Sequence, residues 1–174
     1  MTAGTTSLVD DFSPLIAKLR AARHCVAFTG AGVSTFSGIP DFRGSNGLYT
    51  AYDPDKIFSA DYFREDPAYY YNHTKDLVYA PERWSPSGVH HQIARLERCR
   101  VVKFVITQNI DLLHQRAGTS RISELHGSPA THTCLSCGAQ YDYETIVPIV
   151  QRGETPCCSC GGVIKPDIVF FGDL

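Results

Sequence analysis

The feature that most constrains the fold of this chain is an apolar run that leads directly into Gly30-Ala31-Gly32. Residues 24–28 precede the glycines, and a small hydroxyl residue, Ser34, follows them. This order predicts a buried strand, a tight turn and the start of a helix. Glycine tolerates positive φ and lets the backbone approach a ligand, and N–H groups at a helix start favour a pyrophosphate. Taken alone, the turn fits a phosphate-binding loop and an ordinary strand–helix connection equally well, since the third glycine of the usual dinucleotide motif is missing.

A second apolar run, residues 101–107, predicts a strand that is buried on both faces, as in a parallel sheet. It is followed by three polar residues, Gln108, Asn109 and Asp111. Open α/β sheets bind ligands at the carboxyl ends of their strands. A helix cap at Asn109 or Asp111 would need only one such group, so the cluster favours a ligand site. His114, one turn further on, is more typical of a structural histidine.

Four of the seven cysteines form two C-x-x-C pairs, Cys134 with Cys137 and Cys157 with Cys160. Four thiolates in two tight turns satisfy a tetrahedral Zn²⁺ ion and leave no open position, which predicts a structural zinc site. Cys158 lies beside the second pair and competes with Cys157 as a ligand. Paired thiols of this kind favour a reducing intracellular compartment, cytoplasmic or nuclear, over disulfide bonding.

The segment after the glycine turn, residues 34–49, is dense in Gly, Ser and Pro, yet it carries Asp41, Phe42 and Arg43 together. An aromatic ring, a carboxylate and a guanidinium between flexible positions suit a loop that closes over an anionic or aromatic ligand. A surface loop with an Asp–Arg ion pair fits the same residues equally well.

His126 precedes a glycine at the end of a short predicted strand, residues 122–127. The ordinary pKa of histidine lies close to neutral pH, which suits a general base. A lone histidine is more often structural, so the residue is a candidate only in the company of other site residues.

Composition and charge narrow the function classes. The chain has 174 residues, of which 43% are hydrophobic, and a net charge of −2, as expected of one globular domain. No basic stripe indicates nucleic-acid binding, and no apolar run indicates a membrane span. Residues 1–7 lack the basic and apolar order of a signal peptide, which argues against secretion.

The remaining periodic segments predict supporting structure. Helices are expected over residues 10–22 and 90–98. Aromatic residues are concentrated between residues 51 and 86, where two or three short helices are expected between prolines. Such a cluster is more typical of a small core than of a binding site.

Taken together, these motifs resemble the sirtuins, the NAD-dependent protein-lysine deacylases. The resemblance runs in family order from residue 24 to the end of the chain. The matching segments are Gly30-Ala31-Gly32-Val33-Ser34, Ser37-Gly38-Ile39-Pro40-Asp41-Phe42-Arg43-Gly44, Thr107-Gln108-Asn109-Ile110-Asp111-Leu112-Leu113-His114, His126-Gly127, the four paired cysteines and Val169-Phe170-Phe171-Gly172-Asp173.

The resemblance implies an α/β fold with a Rossmann-like parallel sheet, incomplete at the C-terminus, and a small zinc-binding and helical domain. The Rossmann-like NAD-binding domain would comprise residues 1–32, 91–127 and 165–174. Residues 33–90 would form the cofactor-binding loop and the helical part of the small domain, and residues 128–164 its zinc-binding module. NAD would lie in the cleft between the two domains.

The resemblance also implies the roles of individual residues. His126 would be the catalytic base, and Asn109 would take part in catalysis beside it. The zinc ligands would be Cys134, Cys137, Cys157 and Cys160. The substrate peptide would add to the strand formed by Val169, Phe170, Phe171 and Gly172. The NAD-contacting residues would be Gly30, Ala31, Gly32, Ser34, Asp41, Phe42, Arg43, Gln108, Asn109, Asp111 and His126.

The implied reaction is the removal of acetyl groups from the lysines of an acetylated protein or peptide, with NAD consumed to give nicotinamide and O-acetyl-ADP-ribose. Sirtuins that remove acidic acyl groups carry a Tyr-x-x-Arg pair in the helical insertion. The counterpart here begins at Tyr71 and has Thr74 at the fourth position. We therefore expect a preference for acetyl or other uncharged acyl groups.

One departure from the family concerns length. The family's sheet continues beyond Phe-Gly-Asp/Glu with segments that contact the adenosine half of NAD, and the sequence ends at Leu174. Asp173 also stands where glutamate is more usual. Two alternatives therefore remain beside the deacylase, namely a mono-ADP-ribosyltransferase and an inactive, truncated zinc-containing binding fragment.

Overall fold

The computed structural model describes residues 12–41, 47 and 53–173. The elements in chain order are α1 (Ser13–Ala21), β1 (Cys25–Thr29), α2 (Gly32–Thr35), α3 (Pro54–Ile57), α4 (Ala60–Glu65), α5 (Pro67–Thr74), α6 (Gly88–Arg98), β2 (Val102–Thr107), α7 (Leu113–Arg116), β3 (Ile122–Glu124), β4 (Gly127–Cys134), β5 (Gln140–Asp142), α8 (Tyr143–Gln151) and β6 (Ile164–Ile168). Among these helices, none is both long and apolar enough to cross a lipid bilayer.

Strands β1, β2 and β3 form a parallel sheet in that order. Both predicted strands are present, and Thr29 at the end of β1 lies opposite Thr107 at the end of β2. The expected burial is wrong for the described residues, because each strand has at least one exposed residue among its buried or half-buried ones. Helix α6 packs against β2, whereas the side chains of Val26, Phe28 and Phe104 are exposed. The parallel register brings the carboxyl ends of all three strands to one edge, where the chain turns into its polar segments.

The second sheet is antiparallel, with β4 between β5 and β6. The expectation that the segment from residue 165 belongs with the parallel sheet is wrong for β6, since Ile164 lies opposite Cys134 and Ile168 opposite Gly127. The burial of β6 agrees with this pairing, since Ile164, Pro166 and Ile168 are buried and the residues between them are not. A period of two is typical of an antiparallel strand that covers a core on one face only.

The predicted aromatic core is confirmed. Phe63, Tyr70, Tyr71 and Tyr79 are at most 2% exposed and form one buried cluster with Phe170 from the end of the chain. Phe63 meets Phe170 edge to face with ring centroids 5.5 Å apart. Such aromatic pairs add to the free energy gained by burial alone. The cluster therefore joins the helical segment to the strands of the second sheet.

A buried carboxylate holds the backbone of the two residues that precede β3. The side chain of Glu97, on α6, is 3% exposed, and it accepts hydrogen bonds from the backbone N–H groups of Ser120 at 3.1 Å and Arg121 at 2.8 Å. The Ser120 hydroxyl donates a third at 2.9 Å. Burial alone would raise the pKa of Glu97, but these hydrogen bonds outweigh it and hold the pKa below its ordinary value.

Replacing Glu97 with glutamine should lower the free energy of unfolding by about 2 kcal/mol at neutral pH, because hydrogen bonds to an ionised group are lost. Since the folded-state pKa is lowered, this stabilisation is present above the unfolded-state pKa and is lost as the pH falls through the folded-state pKa. Urea unfolding over an acidic pH series measures the difference. Glu154→Gln, which alters an exposed pair with Arg152, is the control and should change little. Equal effects of the two variants would contradict the prediction.

Candidate functional site

The polar residues that follow β1 and β2 meet at the edge of the parallel sheet. The Asn109 amide donates hydrogen bonds to the Ser34 hydroxyl at 2.9 Å and to the Gly30 carbonyl at 3.1 Å. The Ser34 hydroxyl donates in turn to the Asp111 carboxylate, which also accepts from the Leu113 backbone N–H at 2.9 Å. Two motifs more than seventy residues apart in the chain therefore form one connected network.

This network forms one side of a cleft. Among the described residues that line it, the polar side chains are those of Ser34, Asn109 and Asp111. The cleft is lined by Ala31, Ser34, Ile39, Pro40, Leu77, Val78, Asn109, Ile110 and Asp111. A mostly apolar cleft with a few convergent polar groups is typical of a small-molecule or cofactor site.

The contribution of Leu77 and Val78 could not be found from the sequence. Both residues come from the segment after α5, in the helical region, and nothing in their local pattern distinguishes them from core residues. Only the packing of that region against the edge of the sheet brings them to the cleft.

The glycine turn leaves room for a ligand. A methyl group placed on Gly30 or Gly32 would meet no atom of the described residues within 4 Å, and neither residue is among those with positive φ. The turn therefore does not need glycine for its backbone conformation, which differs from the expectation drawn from the sequence. The open space instead fits the second reason for glycine, the close approach of a phosphate to the backbone.

His126 is exposed on the same edge. Its Nδ1 lies 2.8 Å from the Gln108 carbonyl oxygen, and because a carbonyl only accepts, Nδ1 carries the proton in this contact. The neutral ring then has its lone pair on Nε2, the arrangement that a general base requires. Gln108 is itself held by a hydrogen bond from its backbone N–H to the Thr29 carbonyl at 3.0 Å.

Comparison with known proteins decides the family. The sequence model of the Sir2 family matches residues 30–174. The chain belongs to the Sir2 family. It is similar to NAD-dependent protein deacylase 2 of Archaeoglobus fulgidus, with 45% identity over 160 residues, which cover 89% of this chain and 62% of that protein.

Solved Sir2 structures share the fold. One, from work on the mechanism and regulation of Sir2 enzymes, matches with a TM-score of 0.85 at 42% identity and covers 95% of this chain and 66% of its own. Another, of a Sir2 protein with a p53 peptide and NAD⁺, matches with a TM-score of 0.82 at 37% identity, covering 93% and 65%. The chain spans 61–62% of the length of the curated relatives it matches first.

Not every residue of the Sir2 motifs can be placed. Phe42 and Arg43 of the predicted cofactor loop lie outside the described residues, whereas Asp41 is described and half-buried. Gly30, Ala31, Ser34, Asn109 and Asp111 are brought together around the cleft and its glycine turn.

The predicted substrate segment, Val169 to Gly172, lies beside His126. The Val169 backbone N–H donates to the His126 carbonyl at 2.8 Å. Both backbone groups of Phe171 form hydrogen bonds. Its N–H donates to the Phe58 carbonyl, and its carbonyl accepts from the Ala60 N–H. Phe170 is buried in the aromatic core, whereas the side chains of Val169 and Phe171 are exposed. The side chains of Val169 and Phe171 are therefore open to a peptide, whereas the backbone groups of Phe171 are already bound within the chain.

The thiol cluster differs from the prediction in one ligand. The Sγ atoms of Cys134, Cys137, Cys158 and Cys160 all lie within 4.8 Å of one another. Cys157, predicted as the third ligand, is exposed and makes an antiparallel bridge with Val163. Neighbouring side chains of extended backbone point to opposite sides, so only one of the two adjacent cysteines can face the cluster.

The turn around Cys158 explains why it is the one that faces inward. Its N–H donates to the Gly162 carbonyl and its carbonyl accepts from the Gly161 N–H, both at 2.8 Å. A methyl group on Gly162 would lie 2.7 Å from the Cys134 Sγ, so glycine is needed there. Four thiols at this spacing fit a tetrahedral, closed Zn²⁺ site.

Two adjacent cysteines allow a matched test of the zinc ligands. Cys158→Ser should greatly reduce bound zinc, because only three thiolates remain, whereas Cys157→Ser should keep about one zinc per chain. Metal analysis of the two purified variants gives the result. The reverse outcome, with zinc lost from Cys157→Ser alone, would contradict the assignment.

Proposed function

We propose that the protein carrying this chain removes acetyl and other uncharged acyl groups from protein lysines and consumes NAD in doing so. The relatives that support this are themselves NAD-dependent protein deacylases and deacetylases. The observation that carries the proposal is the junction of Ser34, Asn109 and Asp111 beside His126, on one edge of a parallel sheet. NAD would supply the reactive ribose carbon, with nicotinamide as its leaving group.

The residues of the cleft have separate tasks in this proposal. Gly30, Ala31 and Gly32 allow the pyrophosphate to approach the backbone, and Ser34 stands at the start of the short helix behind them. Asp41, Phe42 and Arg43 belong to the loop that covers the cofactor. Closing such a loop excludes water from the reacting atoms.

Asn109, Asp111 and Gln108 face the nicotinamide end of the cofactor in this proposal. Asn109 is buried and is held through both its side chain and its backbone, so its orientation is fixed before a ligand arrives. A group that is positioned in advance contributes to the rate without reorganisation.

His126 acts as the general base. The Gln108 carbonyl holds the proton on Nδ1, so that Nε2 can take a proton from a ribose hydroxyl. Val169 is hydrogen-bonded to the His126 backbone, which places the proposed peptide-binding segment, Val169 to Gly172, next to the base. An acetylated protein or peptide is the proposed partner.

Zinc has a structural task in this proposal. Cys134, Cys137, Cys158 and Cys160 would hold it without an open position, away from the reaction. We also propose a two-domain division in which β6 belongs with the helical and zinc-binding parts and not with the parallel sheet. The paired C-x-x-C thiols favour a reducing, intracellular compartment.

The function is tested with an acetylated peptide and NAD on the full-length protein. We expect deacylation that depends on NAD and is abolished by His126→Ala, because no other group would take the ribose proton. The exposed His24→Ala is the control and should keep wild-type turnover. Mass spectrometry should detect O-acetyl-ADP-ribose, whereas ADP-ribose attached to protein would indicate the transferase instead. No turnover by the wild type would refute both activities.

The acyl preference can be tested separately. The Tyr71 hydroxyl donates to the Ile164 carbonyl at 2.6 Å, and the Thr74 hydroxyl donates to the Tyr70 carbonyl at 2.7 Å. Both side chains are buried and uncharged, so neither Tyr71 nor Thr74 offers a cation to an acyl carboxylate. We expect the turnover of acetyl-peptide to be faster than that of succinyl-peptide by a factor of about ten or more. Faster desuccinylation would refute the preference.

A further inference from the structure

A buried chain of hydrogen bonds reaches Asn109 from the interior of the protein. The Asn109 backbone N–H donates to the Thr107 hydroxyl at 3.1 Å, and the Thr29 hydroxyl donates to the same oxygen at 2.9 Å. The His114 Nε2 lies 2.9 Å from the Thr29 hydroxyl. All four residues are at most 7% exposed. The reaction assigned to the cleft does not use Thr29, Thr107 or His114 directly.

The hydrogen-bond directions determine the tautomer of His114. Thr107 accepts from both Asn109 and Thr29, so the only hydroxyl proton of Thr29 is already used. Thr29 must then accept from His114, which requires a proton on Nε2. The Nδ1 of His114 is left as a bare acceptor, and it is buried with no partner among the described residues.

A second buried histidine, His90, packs against the ring of His114. The Ser87 backbone N–H donates to the His90 Nδ1 at 3.1 Å, so the proton of neutral His90 is on Nε2. This Nε2 is also buried and unpartnered within the described part of the chain, and the His90 and His114 ring centroids are 4.8 Å apart. Adjoining rings thus carry an unused donor and an unused acceptor.

Both rings are suited to remain neutral. Burial is the main cause that lowers the pKa of His114 to about 4, and the neighbouring His90 lowers it further, against the opposing effect of Asp111. Burial also lowers the pKa of His90. A neutral His90 keeps Nδ1 as the acceptor for the Ser87 N–H, and a neutral His114 with its proton on Nε2 donates to Thr29.

We propose that His114 is a positioning residue, which acts through the hydroxyls of Thr29 and Thr107 to fix the backbone of Asn109 in the cleft. The proposal rests on the proposed function, in which Asn109 faces the nicotinamide end of NAD. Strand pairing puts Thr29 opposite Thr107, so the two hydroxyls meet only because β1 and β2 are in this register. A role for His114 in packing alone would not depend on either hydroxyl.

The test replaces one hydroxyl at a time. Thr29→Val keeps the shape of the side chain and removes the hydroxyl, whereas Thr29→Ser keeps the hydroxyl. We expect Thr29→Val to lower kcat about tenfold and to speed amide exchange at Asn109, and Thr29→Ser to recover most of the loss. Thr119 is the matched control, because its buried hydroxyl has no partner among the described residues. Thr119→Val should leave both measurements unchanged.

Nitrogen NMR of the wild-type imidazoles gives a readout that does not depend on activity. We expect His90 and His114 to be neutral at pH 7, each with its proton on Nε2. A proton on Nδ1 of His114, or an Asn109 exchange rate unaffected by Thr29→Val, would overturn the positioning role even if the protein is an active deacylase. Inactive wild type with the expected tautomers and exchange would instead refute the proposed function and leave the hydrogen-bond chain standing.

Discussion

The parallel pairing of β1 with β2 is the interaction on which the rest of the structure depends. Its register sets Thr29 opposite Thr107. Both strands therefore end at one edge of the sheet, and the segments that follow them lie next to each other. Ser34 and Asn109 can form a hydrogen bond only because of that alignment. A shift of one residue would turn each side chain to the other face of the sheet and would separate the network.

The second sheet connects the thiol cluster to the sheet edge that carries His126. β4 begins directly after His126 and ends at Cys134, so one strand joins the proposed base to the thiol cluster. β6 runs back along it and ends next to the proposed substrate segment, Val169 to Gly172. Disturbing the thiol cluster would therefore reach the sheet edge that carries His126 through backbone hydrogen bonds, although the proposed chemistry does not use the cluster.

Much of the site could be predicted because its residues stand in local motifs. The strand ends at Thr29 and Thr107 follow from apolar runs, and the polar residues after them from the rule that ligands bind at carboxyl ends. The ligand Cys158 could not be chosen over Cys157, because the choice depends on which face of an extended segment meets the cluster. β6 was placed in the wrong sheet, since its alternation of burial arises only from the partner it packs against.

The sequence by itself determined the two strands that lead to the site, the aromatic core, the family and the types of residue that carry the proposed chemistry. Each of these depends on neighbours along the chain or on a fixed spacing between them. Only the tertiary structure decided which groups touch, such as Leu77 and Val78 at the cleft and the chain from His114 to Asn109. Contacts between residues distant in sequence depend on strand register and packing, which no local pattern encodes.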